Sequence, residues 1–156
     1  MRKTRAPEYD ERQLQVRGRA FMITFIIFVF LTAILALIEK EFHWITFNAY
    51  QFLSIPVWLS ITFLYIYCIR HDAYEGLSQD STSGFLALVM GGAGILVLGI
   101  TLYKILGRGI PLVENKEARD PLAGVVAGVC MLAIGIAYLM KKRNEKKLGD
   151  EEDDDL

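Results

Sequence analysis

Apolar residues along this chain come in long uninterrupted blocks, and the polar residues are confined to the gaps between them. Blocks of about 20 predominantly apolar residues, without strict helical or alternating periodicity, are the signature of helices that cross a bilayer. Four are present, at residues 20–38, 49–69, 84–106 and 122–140. None contains Asp or Glu, and the basic residue inside them is Lys104, near an end. The first, AFMITFIIFVFLTAILALI, is too long for a signal-peptide core, and no A-x-A site follows it, so it reads as a retained span. The pattern predicts an all-α integral membrane protein with four transmembrane helices arranged as two antiparallel hairpins. One domain is expected over residues 1–140, and the basic-then-acidic segment 141–156 reads as a disordered tail.

Local signals refine the ends. Asp10 with Gln13 three positions on has capping-box spacing. A helix from there to Ile38 exceeds a hydrocarbon core of about 30 Å, so its first turns must extend into the cytoplasm, with Arg17 and Arg19 at the headgroups. Gly18 is a place where that helix could loosen. Asn48 and Gln51 repeat the cap-plus-three spacing before span two, where Trp44 and Tyr50 suit the interface. Pro56 should kink span two, with Ser54, Ser60 and Thr62 placed to satisfy the freed backbone groups. QDSTSGF offers caps for span three, Asp120 with Pro121 starts span four, and GRGIPLVENKEARDP reads as a loop of about a dozen residues.

Charge adds orientation. The net charge of −1 conceals basic clusters at Arg2, Lys3, Arg5, Arg12, Arg17 and Arg19 before span one, and at Lys141, Lys142, Arg143, Lys146 and Lys147 after span four. The connector at 39–48 has Lys40 alone, and that at 107–121 has Arg108, Lys116 and Arg119. Lys/Arg bias near span ends sets topology, which predicts both termini, and residues 70–83, on the cytoplasmic side. Cys68 and Cys130 fall at different depths, so they read as buried thiols rather than a disulfide.

The halves differ in texture. Spans one and two carry bulky aromatics, among them Phe21, Phe25, Phe28, Phe30, Phe52, Trp58, Phe63, Tyr65 and Tyr67. Spans three and four are rich in glycine. GVVAG is a G-x-x-x-G, and Ala87 with Gly91 is a small-x-x-x-small pair. Ala87, Gly91, Gly99, Gly124, Gly128 and Gly135 are the candidate packing positions, since small faces let helices approach closely in lipid. Packing of span three on span four is expected; a homodimer through span four uses the same residues. No inverted repeat of the transporter kind is evident.

The connector RHDAYEGLSQDSTSG holds the candidate chemistry. Asp72, Glu75 and Asp80 face the same side of the bilayer as Arg12, Arg17 and Arg19, which suggests docking of this loop on the extension of helix one. Arg12 is the expected anchor, and Asp10 and Glu11 compete for the same arginines. If the loop starts helically, His71 and Glu75 share a face with Asp72 beside them, a donor set suited to a transition metal. With one His and no second cluster, neither a metal nor any other cofactor is expected. No G-x-S-x-G, H-E-x-x-H, C-x-x-C or P-loop pattern occurs. No carboxylate lies inside a span, where it would mark a proton or ion path. An enzyme is not expected.

YDERQLQVRGRAF before span one, with RHDAYEG after span two, resembles small uncharacterised bacterial four-span membrane proteins, domain-of-unknown-function families that carry a D-E-R-x motif ahead of span one. The resemblance rests on Asp10, Glu11, Arg12 and Gln13, and further on Asp72, Ala73, Tyr74 and Gly76. It implies the bacterial plasma membrane as location and no established activity.

The resulting expectation is a non-enzymatic accessory, regulatory or protective component acting through protein or lipid contacts at the cytoplasmic face. The alternative is a subunit of an oligomeric small-molecule or ion transporter or channel, built from Pro56, Asn48, Gln51 and the glycine faces. Partners are the bilayer and another membrane protein or a second copy, not nucleic acid. Topology is directly testable: Ser78→Cys, in a background lacking Cys68 and Cys130, should resist an impermeant thiol reagent added from outside. Labelling of intact cells would invert the assignment.

Overall fold

The computed structural model describes residues 11–71, 73 and 82–154, without the side chains of residues 82–84, 86, 87 and 146–154. Asp10, Asp72, Glu75 and Asp80, and the side chain of Ala87, therefore lie outside the described residues. The chain is all-α apart from one small hairpin. Its helices are α1 (Glu11–Lys40), α2 (Ala49–Arg70), α3 (Thr82–Leu102) and α4 (Asp120–Asp154); four stretches long and apolar enough to cross a membrane lie along them, the third running Leu88–Gly107, past the end of α3. A π-helical turn, Tyr103–Gly107, closes α3, and the strands β1 (Val113–Glu114) and β2 (Glu117–Ala118) precede α4.

α1 has 30 residues, about 45 Å at 1.5 Å each, so its first turns outrun the hydrocarbon core. α2 starts at the Asn48 cap: the Gln51 amide donates to Asn48 Oδ1 at 2.8 Å, and the Asn48 amide donates to Gln51 Oε1 at 3.2 Å. This is the reciprocal box expected from the spacing. α2 runs unbroken through the buried Pro56. Proline supplies no N–H to the carbonyl one turn back. The hydroxyls of Ser54 and Ser60 were expected to help satisfy the backbone here, but both are buried without a partner. Thr62 instead donates within its own helix to Trp58 O at 2.8 Å, as Thr32 does to Phe28 O and Thr101 to Val97 O.

After residue 140, α4 continues to Asp154. Lys, Arg and Glu are good helix formers. A helix already nucleated by the span extends through them without a second nucleation cost. Lys141 Nζ lies 3.6 Å from Glu145 Oε1, one turn on, which adds a small exposed contribution.

The extensive interhelical contacts are α1 with α2, α2 with α4, and α4 with α3. α2 and α4 are thus the inner helices, and α4 packs on both α2 and α3. Two stripes on it explain why. Ala123, Ala127, Cys130 and Ile134 recur at intervals of four and three and are all buried. Beside them run Gly124, Gly128 and Gly135, which receive α3. A Cβ on Gly128 would come within 2.6 Å of Leu98 Cγ, one on Gly124 within 2.6 Å of Thr101 Oγ1, and one on Gly91 within 3.3 Å of the Gly135 Cα.

The tightest backbone approach is at Gly94, absent from the expected packing set, where a Cβ would sit 2.8 Å from Leu132 N and 3.0 Å from Gly128 O. Gly99, which was in that set, has open space around it and is not a packing position. The reason is its azimuth on α3: G-G-A-G at 91–94 places Gly94 at the seam, and Gly99, five residues on, has turned away.

Gly94 and Gly99 give a controlled comparison on one helix. Either change to alanine gains helix propensity of up to about 1 kcal/mol. At Gly94 the obstacle is backbone, so Gly94→Ala should destabilise by a net 1–2 kcal/mol or so through overpacking. Gly99→Ala should be neutral or stabilising. Unfolding in mixed micelles reads the difference, and equal effects would remove the seam assignment. Gly128→Leu should lower stability in the same assay, and Leu139→Ala, at an exposed position, should have much less effect.

Candidate functional site

The connectors α1–α2 and α3–α4 meet at one end of the bundle and are joined there by backbone hydrogen bonds. After α1, the amides of Glu41 and Phe42 both donate to Leu37 O, at 2.9 and 3.3 Å, and His43 turns the chain at φ 48°. Phe42 and Trp44 stack with centroids 5.0 Å apart. Thr46 then runs beside the β1–β2 hairpin: its amide donates to Lys116 O at 2.7 Å, and its carbonyl accepts from the Ala118 amide at 2.9 Å.

The hairpin pairs Val113 with Ala118 and Glu114 with Glu117, leaving Asn115 and Lys116 as a two-residue turn at φ 51° and 65°. Two consecutive positive φ values match the twist of antiparallel strands, and asparagine tolerates that region well. The loop reading of 107–121 missed this hairpin. The Asn at the first turn position between short flanking pairs was its sequence signal.

Gln51 ties the two connectors. Its side chain is fully buried, accepts from Asn48 through Oε1, and donates through Nε2 to Ala118 O at 3.1 Å. A capping residue therefore also makes one of the bonds between the first and second halves of the chain, beside those of Thr46. Nothing in the sequence distinguishes this second role, because its partner is a backbone carbonyl 67 positions away.

Around this joint lies an open cavity of about 760 Å³. Its charged lining is Lys104, Arg108 and Arg119 against Glu114, Glu117 and Asp120. Arg119 is anchored by its amide, which donates to Leu112 O at 2.9 Å, and its guanidinium is engaged by Glu114 at 2.9 Å and Glu117 at 4.0 Å. Lys104 and Arg108 come from the end of α3, where the π-helical turn brings the Ile110 amide to 3.3 Å from Lys104 O, and Gly109 reverses direction at φ 66°. Arg108 lies 6.0 Å from the Tyr103 ring centroid. Neither Lys104 nor Arg108 has a carboxylate within ion-pair distance among the described residues. Lys104, the basic residue near the end of span three, thus lines a polar chamber.

The opposite end carries the residues singled out from sequence. Ala20 of α1 and Cys68 and Ile69 of α2 form a buried cluster, with Tyr65, Tyr67, Ala137 and Tyr138 packed on it. This holds α1 against α2 at the start of the α1 span, with residues of α4 packed on the same cluster. Arg12 and Arg19 are exposed, and Arg17 is half-buried and close enough to Cys68 to act on it electrostatically. α2 ends with the His71 amide on Tyr67 O at 3.2 Å and the Ala73 amide on Cys68 O at 3.0 Å, a Schellman-type closure. The His71 ring stacks on Tyr67 at 4.4 Å. Asp72, Glu75 and Asp80 lie outside the described residues, so the proposed loop docking and the His71–Asp72–Glu75 donor set do too. No group of three or more His, Cys, Asp or Glu side chains suited to a metal occurs among the described residues. Cys68 and Cys130 are both free and buried.

Comparison with protein-family models, curated proteins and solved structures finds no match to this chain.

Gln51→Ala should remove half of the capping box and orphan the Ala118 carbonyl, at a combined cost of about 2–3 kcal/mol. The local readout is amide exchange at Ala118 and Thr46, which should accelerate strongly. Unchanged protection at both amides would show that the connectors hold together without Gln51.

Proposed function

We propose that this chain is a non-enzymatic component of the bacterial plasma membrane, with both termini cytoplasmic, that acts through contacts made by a basic rim at its cytoplasmic face. The observation that carries this reading is the Ala20–Cys68–Ile69 cluster with Ala137 and Tyr138 against it. It sets α1, just after Arg12, Arg17 and Arg19, against α2, and the residues of α4 just before Lys141, Lys142 and Arg143 pack on the same cluster. Basic residues held on rigid helices at the headgroup level attract anionic lipid surfaces or acidic protein surfaces, at about 1 kcal/mol per charge near an anionic membrane.

The close α3–α4 approach at Gly94 and Gly128 leaves no room for a conducting path along that seam, which favours contact over transport. The acidic loop at 70–83 contributes to the same face and, in this reading, docks on Arg12.

The discriminating experiment is cross-linking and co-purification from native membranes, comparing the wild type with Arg12→Glu/Arg19→Glu. Both positions are exposed, so folding should survive. A partner or an anionic-lipid requirement that disappears in the variant supports the proposal. Substrate flux through purified protein in liposomes, unaffected by the charge reversal, would replace it with the transport reading.

A further inference from the structure

The cavity at the connector end is unexplained by contacts at the other face. We infer that it is a binding site for the phosphate of a membrane phospholipid headgroup, with Lys104 and Arg108 as its ligands. This does not rest on the function proposed above, since it concerns the opposite end of the helices.

Three independent features converge. The first is position. The apolar stretch of α3 runs Leu88–Gly107, so Lys104 lies in its last turn and Arg108 just beyond it, at the level where lipid phosphates sit. The second is availability. Of the three cations lining the cavity, Arg119 is occupied by Glu114 and Glu117, whereas Lys104 and Arg108 have no carboxylate partner among the described residues. They are four residues apart across a π-helical turn, a local distortion often found at functional sites, and both line the same chamber. Ion pairing would be the ordinary fate of such cations beside acidic side chains, yet here two of the three acids, Glu114 and Glu117, are directed to Arg119. The third is room. About 760 Å³ accommodates a phosphodiester with its alcohol substituent, and the cavity is open rather than enclosed.

The charges of the lining balance, three cations against three acids, so the site is matched to a phosphate accompanied by its own cation rather than to a polyanion. The ligand class is therefore a zwitterionic phospholipid: phosphate on Lys104 and Arg108 through charge-assisted hydrogen bonds, ammonium towards Asp120. Trp44, an exposed interfacial ring in the facing connector, suits the same depth.

The test is lipid retention by the full chain in detergent, read by native mass spectrometry with added phosphatidylethanolamine, phosphatidylglycerol or inorganic phosphate. Lys104→Ala/Arg108→Ala should weaken phosphatidylethanolamine binding by at least about tenfold, because each lost charge-assisted bond is worth roughly a factor of ten. Lys116→Gly removes a charge from the same connector, outside the cavity lining, and should bind as the wild type does. The charge-conserving Lys104→Arg should also retain the lipid, which separates loss of a ligand from loss of the fold. Equal binding by the double variant, or equal loss in Lys116→Gly, overturns the site. Displacement by inorganic phosphate at the lipid's own concentration overturns the lipid as the source of the phosphate, and preference for phosphatidylglycerol overturns the zwitterionic assignment.

Discussion

Close backbone approach between α3 and α4 is the constraint on which this structure turns. In a bilayer, the outer surface of each helix meets hydrocarbon as apolar as its neighbours, so hydrophobicity retains a helix in the membrane without choosing its partner. Choice requires dispersion contacts that lipid tails cannot match, and these need small residues where backbones meet. Gly94 against Leu132 and Gly128, and Gly91 against Gly135, provide them. Beside the glycine stripe that α3 occupies, the Ala123–Ala127–Cys130–Ile134 stripe is buried as well, and α4 links α3 to α2. α1, by contrast, contributes Ala20 alone to the buried set and presents Phe21, Phe25, Ile26 and Phe30 outward, a surface suited to lipid.

The second requirement is that backbone polar groups find partners near or within an apolar medium. Helices meet it internally, and threonine hydroxyls at Thr32, Thr62 and Thr101 turn back onto their own carbonyls. The connectors have no such recourse. They satisfy one another instead, Thr46 against Lys116 and Ala118, with Gln51 donating to the Ala118 carbonyl. A buried amide on α2 is stable there because both of its ends are bonded. The same bonds link the halves of the chain at the end where α1 and α2, and α3 and α4, change direction.

Charge is segregated to the two ends with different organisation. At the terminal end, basic residues lie on long helices beside a small apolar cluster, with Arg12 and Arg19 exposed and Arg17 half-buried. At the connector end, acids and cations alternate around a chamber, and the Glu114–Arg119–Glu117 network takes one cation while leaving two others open. An exposed network of this kind contributes little to stability. Its effect is on which charges remain available.

The sequence alone determined what depends on composition and on contacts a few residues apart. Four apolar blocks without carboxylates make four long helices. Asn48 with Gln51 makes a cap, and G-x-x-x-G marks a face that can approach another helix. These follow because hydrocarbon demands apolar length and because capping is completed within one turn. Only the tertiary structure decided which glycines matter, since Gly94 and Gly99 look alike in sequence and differ in azimuth. It also decided that Gln51 reaches Ala118, that Asn115 and Lys116 close a hairpin, and that the helix of span four continues through its charged extension. The glycine and Gln51 outcomes depend on a neighbouring helix or on a partner far along the chain, about which local pattern carries no information; the hairpin and the helical extension had local signals, the Asn turn position and the charged helix formers, too weak to decide alone.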